Sequence, residues 1–290
     1  MSFATQYSEI EPKRLRRRVR NLGVRYLSKY AGLFKHEEIN ENAYIKFIYI
    51  HHIFQDEELI FSKFLENILQ DHTFLSYSDA IDKVLKAEID GKYYCISSDD
   101  GFKNNLKAAE ILNRYDIKGC FFVCPNIVGE TNFTKIVDFS KNRLNIPPVE
   151  FMNWSDLELL KKQGHEIGSH TLNHFNLSKI STSEATIEIC KSYEVINEYL
   201  GECKHFAWPY GHFSDFNKDL NDIVFKSGYE SCSSAVRGTH VNGEILQANE
   251  LCLRRDHIIF AWPLDQIKYL LRSSFKNSSP ENSLFPETLL

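Results

Sequence analysis

From residue 43 onward the chain alternates between short apolar stretches bounded by turn residues and longer stretches with helical spacing. The apolar runs are "AYIKFIYIH" (43–51), "KYYCIS" (92–97), "GCFFVCP" (119–125), "HEIGSH" (165–170), "CKHFAWP" (203–209), "YESCSSA" (229–235) and "LCLRRDHII" (251–259). Between them, residues 59–70, 76–87, 104–116, 153–164, 182–201, 217–228 and 264–275 carry apolar positions three or four apart. Ser76 is placed to cap the second of these, Ser155 the fourth, and Gly164 and Gly201 stand where helices stop. Residues 126–148 read as a long polar connection. Strands that alternate with helices predict βαβ units and a parallel sheet. The number of units suits a (β/α) barrel of about seven parallel strands better than an open sheet.

Composition limits the alternatives. Of 290 residues, 43% are hydrophobic, enough to bury a large core and to exclude a disordered chain. The net charge of −5 is unevenly spread. Residues 1–33 hold eight Lys/Arg against Glu9 and Glu11, a local +6 that leaves −11 for the rest, which argues against a nucleic-acid-binding surface. Leu15, Val19, Leu22, Tyr26 and Tyr30 lie between those basic residues at helical spacing, so 13–30 reads as an amphipathic helix. It would either pack on the main domain or lie on an anionic membrane surface. We therefore divide the chain into a basic segment, 1–40, and a catalytic barrel, 41–290. The seven cysteines are scattered, odd in number and without a CxxC pair, which predicts reduced thiols. No apolar segment follows the basic residues as in a secretory signal. The expected location is cytoplasmic, with peripheral contact at the inner membrane face as an option.

"SSDDG" (97–101) ends an apolar strand on two adjacent carboxylates and a glycine. Asp-Gly is a common turn, but Asp99, Asp100, His51, His170 and "PYG" (209–211) all fall at predicted C-terminal strand ends, where a parallel barrel carries its chemistry. "SHTLNH" places His170 and His174 four apart; on a helical turn two such imidazoles share a face. A carboxylate with two imidazoles is a common ligand set for a hydrolytic divalent ion that keeps a position open. A neighbouring carboxylate then serves as base, and the ion makes the acidic pair tolerable.

These motifs, "SSDDG", "SHTLNH" and "FAWPYG" (206–211), together with "IHHIF" (50–54), resemble in order and spacing the polysaccharide deacetylase family, the NodB-homology carbohydrate esterases. The resemblance runs from about residue 43 to 260. It implies a distorted (β/α) barrel and metal-dependent hydrolysis of an N-acyl group, usually N-acetyl on an amino sugar. By the same resemblance Asp99 takes the place of the base, and Asp100, His170 and His174 those of the metal ligands. Pro209, Tyr210 and Gly211 match the loop that shapes the substrate pocket, where a backbone amide helps to hold the oxyanion. His51 matches the acid of the branch with an early Tyr-His element, with His52 as rival. Arg255 in "LCLRRDHI" resembles the late arginine that orients the base in that branch, with Arg254 as second choice. The chain departs from the pattern in Ser98, which replaces an aromatic residue, in Ile50, and in the lack of an arginine just before "PYG". Trp208 is a candidate for stacking on a sugar. His205, His212 and His257 read as structural, His257 also as a minor candidate for the acid.

The expected cofactor is one divalent ion, zinc first, with cobalt, nickel or manganese as alternatives. The expected substrate is an N-acylated amino sugar or glycan, such as a nucleotide- or lipid-linked precursor of a surface polysaccharide. Two other readings stay open: hydrolysis of a non-sugar N-acyl or N-formyl amide, and an inactive carbohydrate-binding barrel.

Overall fold

The computed structural model describes residues 2–11, Gly23, Tyr26, 43–275 and 278–286. Among the described residues nine strands form, β1 (Tyr44–Ile50), β2 (Thr73–Phe74), β3 (Lys92–Ser98), β4 (Gly119–Val123), β5 (Glu166–Ser169), β6 (His205–Ala207), β7 (Ser231–Ser233), β8 (Cys252–Leu253) and β9 (Arg255–His257). The α-helices are α1 (Tyr7–Ile10), α2 (Glu58–Ile68), α3 (Tyr77–Leu85), α4 (Asn105–Arg114), α5 (Phe133–Phe139), α6 (Trp154–Lys162), α7 (Thr182–Leu200), α8 (Lys218–Lys226) and α9 (Leu264–Ser274).

Every strand pairing is parallel, in the order β8-β7-β6-β5-β4-β3-β1-β9, and β2 adds to the start of β3. The sheet curls into a nearly closed (β/α) barrel of eight strands. Its two ends meet two residues apart in the chain: Leu253 pairs with Ser233 on β7, and Arg255 pairs with Phe47 on β1. Sequence reading takes 251–259 as one strand. The chain divides it at Arg254, because its first part completes one edge and its second part the other.

β1 and β4 are buried along their whole length. That explains why they read as continuous apolar runs, since a parallel strand covered on both faces has no polar side. The exception is Lys46, in the middle of β1. It is fully buried, with Nζ 2.6 Å from Asp256 Oδ2 and also bonded to Ser274 Oγ. Asp256 in turn lies 3.4 Å from Arg237. Charges this deep persist only when paired, and removing one partner of such a pair typically costs about 3–5 kcal/mol.

Two expectations need correction. Ser155 lies inside the first turn of α6. The cap is Asn153, whose side chain accepts from Asp156 N while Asp156 accepts from Asn153 N, each at 2.9 Å. The connection 126–148 contains α5 and a wide turn at Ser140–Leu144 that ends in left-handed Asn145 (φ 55°). The segment 13–30 lies outside the described residues apart from Gly23 and Tyr26. The part of 1–40 that is described, residues 2–11, packs on the barrel: Tyr7 and Ile10 are buried with Phe54, Phe102 and Ile259, and Ala4 N donates to Pro148 O. All seven cysteines are unpaired, and no helix among the described residues is long and apolar enough to cross a membrane.

Glu166 at the start of β5 ties the barrel to α3. It accepts from Tyr77 N at 2.7 Å and Ser78 Oγ at 2.6 Å, and His205 Nε2 lies 2.8 Å away. Burial alone would raise its pKa, but His205 and these donors hold it at about 2, against an ordinary 4.5. A depressed carboxylate contributes stability above its unfolded pKa and loses it as pH falls toward the folded value. Glu166→Gln is therefore expected to lower unfolding free energy by about 2–3 kcal/mol at pH 7. Urea titrations at stepped pH should show the gap to wild type narrowing below about pH 4.5; a gap constant down to the acid limit contradicts this assignment.

Candidate metal centre and catalytic cavity

The C-terminal strand ends place the predicted residues around one cavity. β3 delivers Asp99 and Asp100, β5 delivers His170 and His174, and β1 delivers His51. Asp99, Asp100, His51, His170, His174, Trp208, Tyr210 and Gly211 all line this cavity. Pro209, between the lining residues Trp208 and Tyr210, is buried.

The Asp-Asp-Gly turn puts two successive residues, Asp100 (φ 73°) and Gly101 (φ 74°), in the left-handed region. Asp enters that region with modest cost, and Gly freely. A side chain at 101 would also meet Val123 at 3.1 Å. The turn aims the two carboxylates differently. Asp100 Oδ1 lies 3.6 Å from His170 Nε2 and 3.3 Å from His174 Nε2.

His170 and His174 do not share a helical turn as their spacing predicts. The segment between them is a loop with left-handed Thr171 (φ 63°) and His174 (φ 57°). Glu188 on α7 holds it, accepting from Asn173 N at 2.8 Å and Asn173 Nδ2 at 2.7 Å, while Thr171 Oγ1 accepts from His174 N.

This cluster fits a divalent ion. One donor atom each from Asp100, His170 and His174 lie within 4.8 Å of one another, and all three residues are buried. Asp100 Oδ1 is buried without a hydrogen-bond partner, an arrangement that costs free energy unless something positive is coordinated there. His170 Nδ1 lies 2.7 Å from Ala207 O, which fixes that nitrogen as the donor and leaves Nε2 as a lone pair for a metal. Burial, the largest influence, holds the His170 pKa at about 4, so the imidazole is neutral, as a ligand must be.

Arg255 Nη1 and Nη2 donate to Asp99 Oδ1 and Oδ2 at 2.8 and 2.9 Å, a bidentate pair with the arginine fully buried. Its Nε donates to Ser234 O, and the guanidinium lies over the Tyr49 ring at 4.6 Å. Burial would raise the Asp99 pKa, but Arg255 outweighs it and keeps the carboxyl below its usual range. Arg254 points elsewhere, with Nε on Asn282 O.

His51 Nδ1 lies 3.0 Å from His257 Nε2, and His257 stacks on Tyr49. His257, expected to be mainly structural, lines the cavity. The sequence held a signal for it: residues two apart on a strand point the same way, so Arg255 pointing into the barrel interior toward Asp99 implies that His257 points to that side as well. His52 Nδ1 is engaged by Glu57 at 2.7 Å.

Trp208 reaches the cavity wall but is only 1% exposed, stacked on Phe216 and bonded through Nε1 to His212 O. It is a packed wall, not an open stacking surface. The open ring is Tyr210, 47% exposed and 5.3 Å from the His174 ring. Tyr210 (φ 64°) and Gly211 (φ 70°) are both left-handed, and a Cβ at 211 would lie 2.2 Å from that of Ala235, so only glycine fits.

The family described as "Polysaccharide deacetylase" matches residues 86–231. A stretch of 78 residues is 39% identical to an uncharacterized protein, YlxY, of Bacillus subtilis (strain 168); it is 25% of this chain and 24% of that protein, so the match spans about a quarter of the relative. Among solved structures, the chain is similar to Streptococcus pyogenes deacetylase PplD in complex with acetate (19% identity, 85% of this chain and 100% of that one, TM-score 0.60). It is also similar to IcaB from Ammonifex degensii (17%, 80% and 98%, 0.61) and to a de-N-acetylase from Aggregatibacter actinomycetemcomitans (17%, 79% and 100%, 0.59).

If the cluster holds a metal, zinc titration is expected to raise the melting temperature of the wild-type protein, with one ion retained per chain by elemental analysis. His174→Ala should lose both effects and His52→Ala neither. Equal zinc retention by wild type and His174→Ala contradicts the assignment.

Proposed function

Because this chain belongs to the polysaccharide deacetylase family, we propose that it is a metal-dependent hydrolase that removes an N-acyl group, N-acetyl foremost, from an amino sugar. The observation that carries this reading is the placement of an arginine-held carboxylate, Asp99, directly beside the Asp100–His170–His174 cluster in a cavity that His51 also faces. The fold shared with a de-N-acetylase, and with a deacetylase holding acetate, supports it. The family match does not extend to His51 or Arg255, so their roles rest on geometry.

Asp100, His170 and His174 would hold the ion, which supplies Lewis-acid polarisation of the acyl carbonyl and makes nearby water more acidic. Asp99 accepts the proton of the attacking water. Arg255 occupies one acceptor position on each of its oxygens, and a carboxylate has about four, so one lobe remains free on each oxygen. The pairing holds the carboxylate ionised and oriented, at the cost of some basicity. His51 supplies the proton to the departing nitrogen, since an amide nitrogen leaves poorly as an anion. His51 Nδ1 is directed at His257, so Nε2 is the atom that delivers it. Burial, opposed by Asp100 and Asp99, keeps the His51 pKa below its ordinary range, so the protonated form that acts as the acid is lost as pH rises, which sets the alkaline limb of the reaction. A backbone amide of the Tyr210–Gly211 turn helps to hold the oxyanion.

Acetate release from a panel of N-acetyl sugars and non-sugar amides, with metal supplied, tests the reading. Asp99→Asn and His51→Ala should each slow turnover by about 10²–10⁴-fold with metal retained, and His51→Ala should remove the alkaline limb of the pH–rate profile. Release from non-sugar amides alone would favour the general amidohydrolase, and release from nothing a binding barrel.

Arg255→Ala is expected both to slow the reaction and to destabilise the fold, because it strands a buried carboxylate. Arg255→Lys should restore stability more than rate, since an ammonium cannot make the bidentate pair. Arg254→Ala should affect the rate less than either. If Arg254→Ala matches Arg255→Ala in rate, the guanidinium does not position the base.

A further inference from the structure

We infer that the amino sugar carries an oxyanion, a phosphate or a carboxylate, and that Arg143 at the mouth of the cavity binds it. This rests on the deacetylase reading above and names the substrate class for the same site.

Among the described residues that line the cavity, the carboxylates are Asp99 and Asp100, and Arg143 is the lysine or arginine. Asp99 is matched by Arg255, and Asp100 belongs to the cluster suited to a cation. No carboxylate of the described residues forms an ion pair with Arg143; its guanidinium instead lies over the Phe175 ring, Cζ 3.8 Å from the centroid. With Asp99 neutralised and an ion bound, the cavity carries excess positive charge inside a chain of net charge −5. Such a local reversal of sign concentrates anions.

The arginine is also placed. Phe175 follows the ligand His174 in the chain, so the ring beneath the guanidinium is anchored to the metal cluster. Tyr210 Oη donates to Arg143 O at 3.0 Å, and the Tyr210 ring contacts His174. The Arg143 backbone is thus tied through Tyr210, and its guanidinium through Phe175, to residues beside the cluster. This places the side chain in the lining of the same cavity that a sugar with its acyl group at the cluster would occupy. Stacking on an aromatic face leaves the in-plane N–H groups free, and that planar fork matches phosphate and carboxylate geometry. A solvated surface arginine has no need of this double anchoring.

Acetate release would be compared for the methyl glycoside of an N-acetyl amino sugar, its 1-phosphate and an N-acetylamino uronic acid. The metal-loaded wild type should prefer at least one anion over the neutral glycoside by about tenfold in kcat/KM, and the preferred anion separates phosphate from carboxylate recognition. Arg143→Ala should bring that ratio close to one, mainly through KM, and Arg143→Lys should retain part of it. Raising ionic strength should shrink the wild-type preference, a test that needs no variant. Calorimetry on Asp99→Asn protein gives a readout without turnover: adding Arg143→Ala should weaken binding of the preferred anion about tenfold. Acetate from the neutral glycoside at an equal or better rate, or an unchanged ratio in Arg143→Ala, overturns this inference and leaves the deacetylase reading standing. Release from none of the sugars overturns both.

Discussion

The guanidinium of Arg255 lies where no water reaches it, and its charge survives there only because Asp99 meets it with two hydrogen bonds. The pair does more than neutralise itself. Arg255 belongs to β9, the last strand of the sheet in chain order; Asp99 follows β3; and the carbonyl that receives Arg255 Nε, that of Ser234, follows β7. One side chain therefore crosses the barrel interior and ties together three segments that are not neighbours in the sheet. Desolvation makes the pair demanding: a charge left alone at that depth typically costs several kcal/mol. The fold thus holds its proposed base in one orientation, and the base holds the fold's last strand in register.

A second buried network stands behind the first. Lys46, Asp256, Ser274 and Arg237 form a chain of contacts, and Arg237 Nη2 donates to His257 O. His257 in turn meets His51. Strand β9 alternates accordingly: Arg255 points into the barrel interior at Asp99 and His257 lines the cavity, while Asp256 between them faces Lys46. The same short strand carries the partner of the base, the partner of the proposed acid and the counter-ion of a buried lysine. Substitutions in 255–257 should accordingly mix effects on rate and on stability, and separating them requires metal content and unfolding to be measured with turnover.

The cavity walls come from parts of the chain with different tolerances. The turns that carry the proposed metal ligands, and the turn at Tyr210, are strained and specific, with left-handed Asp100, Thr171, His174 and Tyr210 held by neighbouring contacts. Such conformations persist where the surrounding structure over-determines them. The mouth is built from the 140–146 turn and from Tyr7 and Ile10 of the N-terminal segment. None of these elements supplies Asp99, Asp100, His170 or His174, and they can differ while the centre is unchanged. That is the physical separation expected between chemistry and substrate choice.

Much of this was legible before any coordinates. The alternation of strand and helix, the Asp-Asp-Gly turn, the two histidines and the Pro-Tyr-Gly turn are local patterns, and local patterns survive in a linear string. Even so, local reasoning misassigned the helix cap at Ser155, where two polar candidates stood two residues apart. It also took His170 and His174 for a helical pair, because spacing alone does not reveal that Glu188 holds the segment between them as a loop. What tertiary structure decided were partners distant in sequence: Arg255 with Asp99, 156 residues apart, Lys46 with Asp256, 210 apart, and His51 with His257, 206 apart. No periodicity reports such pairs, because they exist only once the sheet closes on itself and brings residue 255 beside residue 47. The sequence by itself determined which groups stand at the strand ends; barrel closure, by setting the register of the last strand, determined which of them meet.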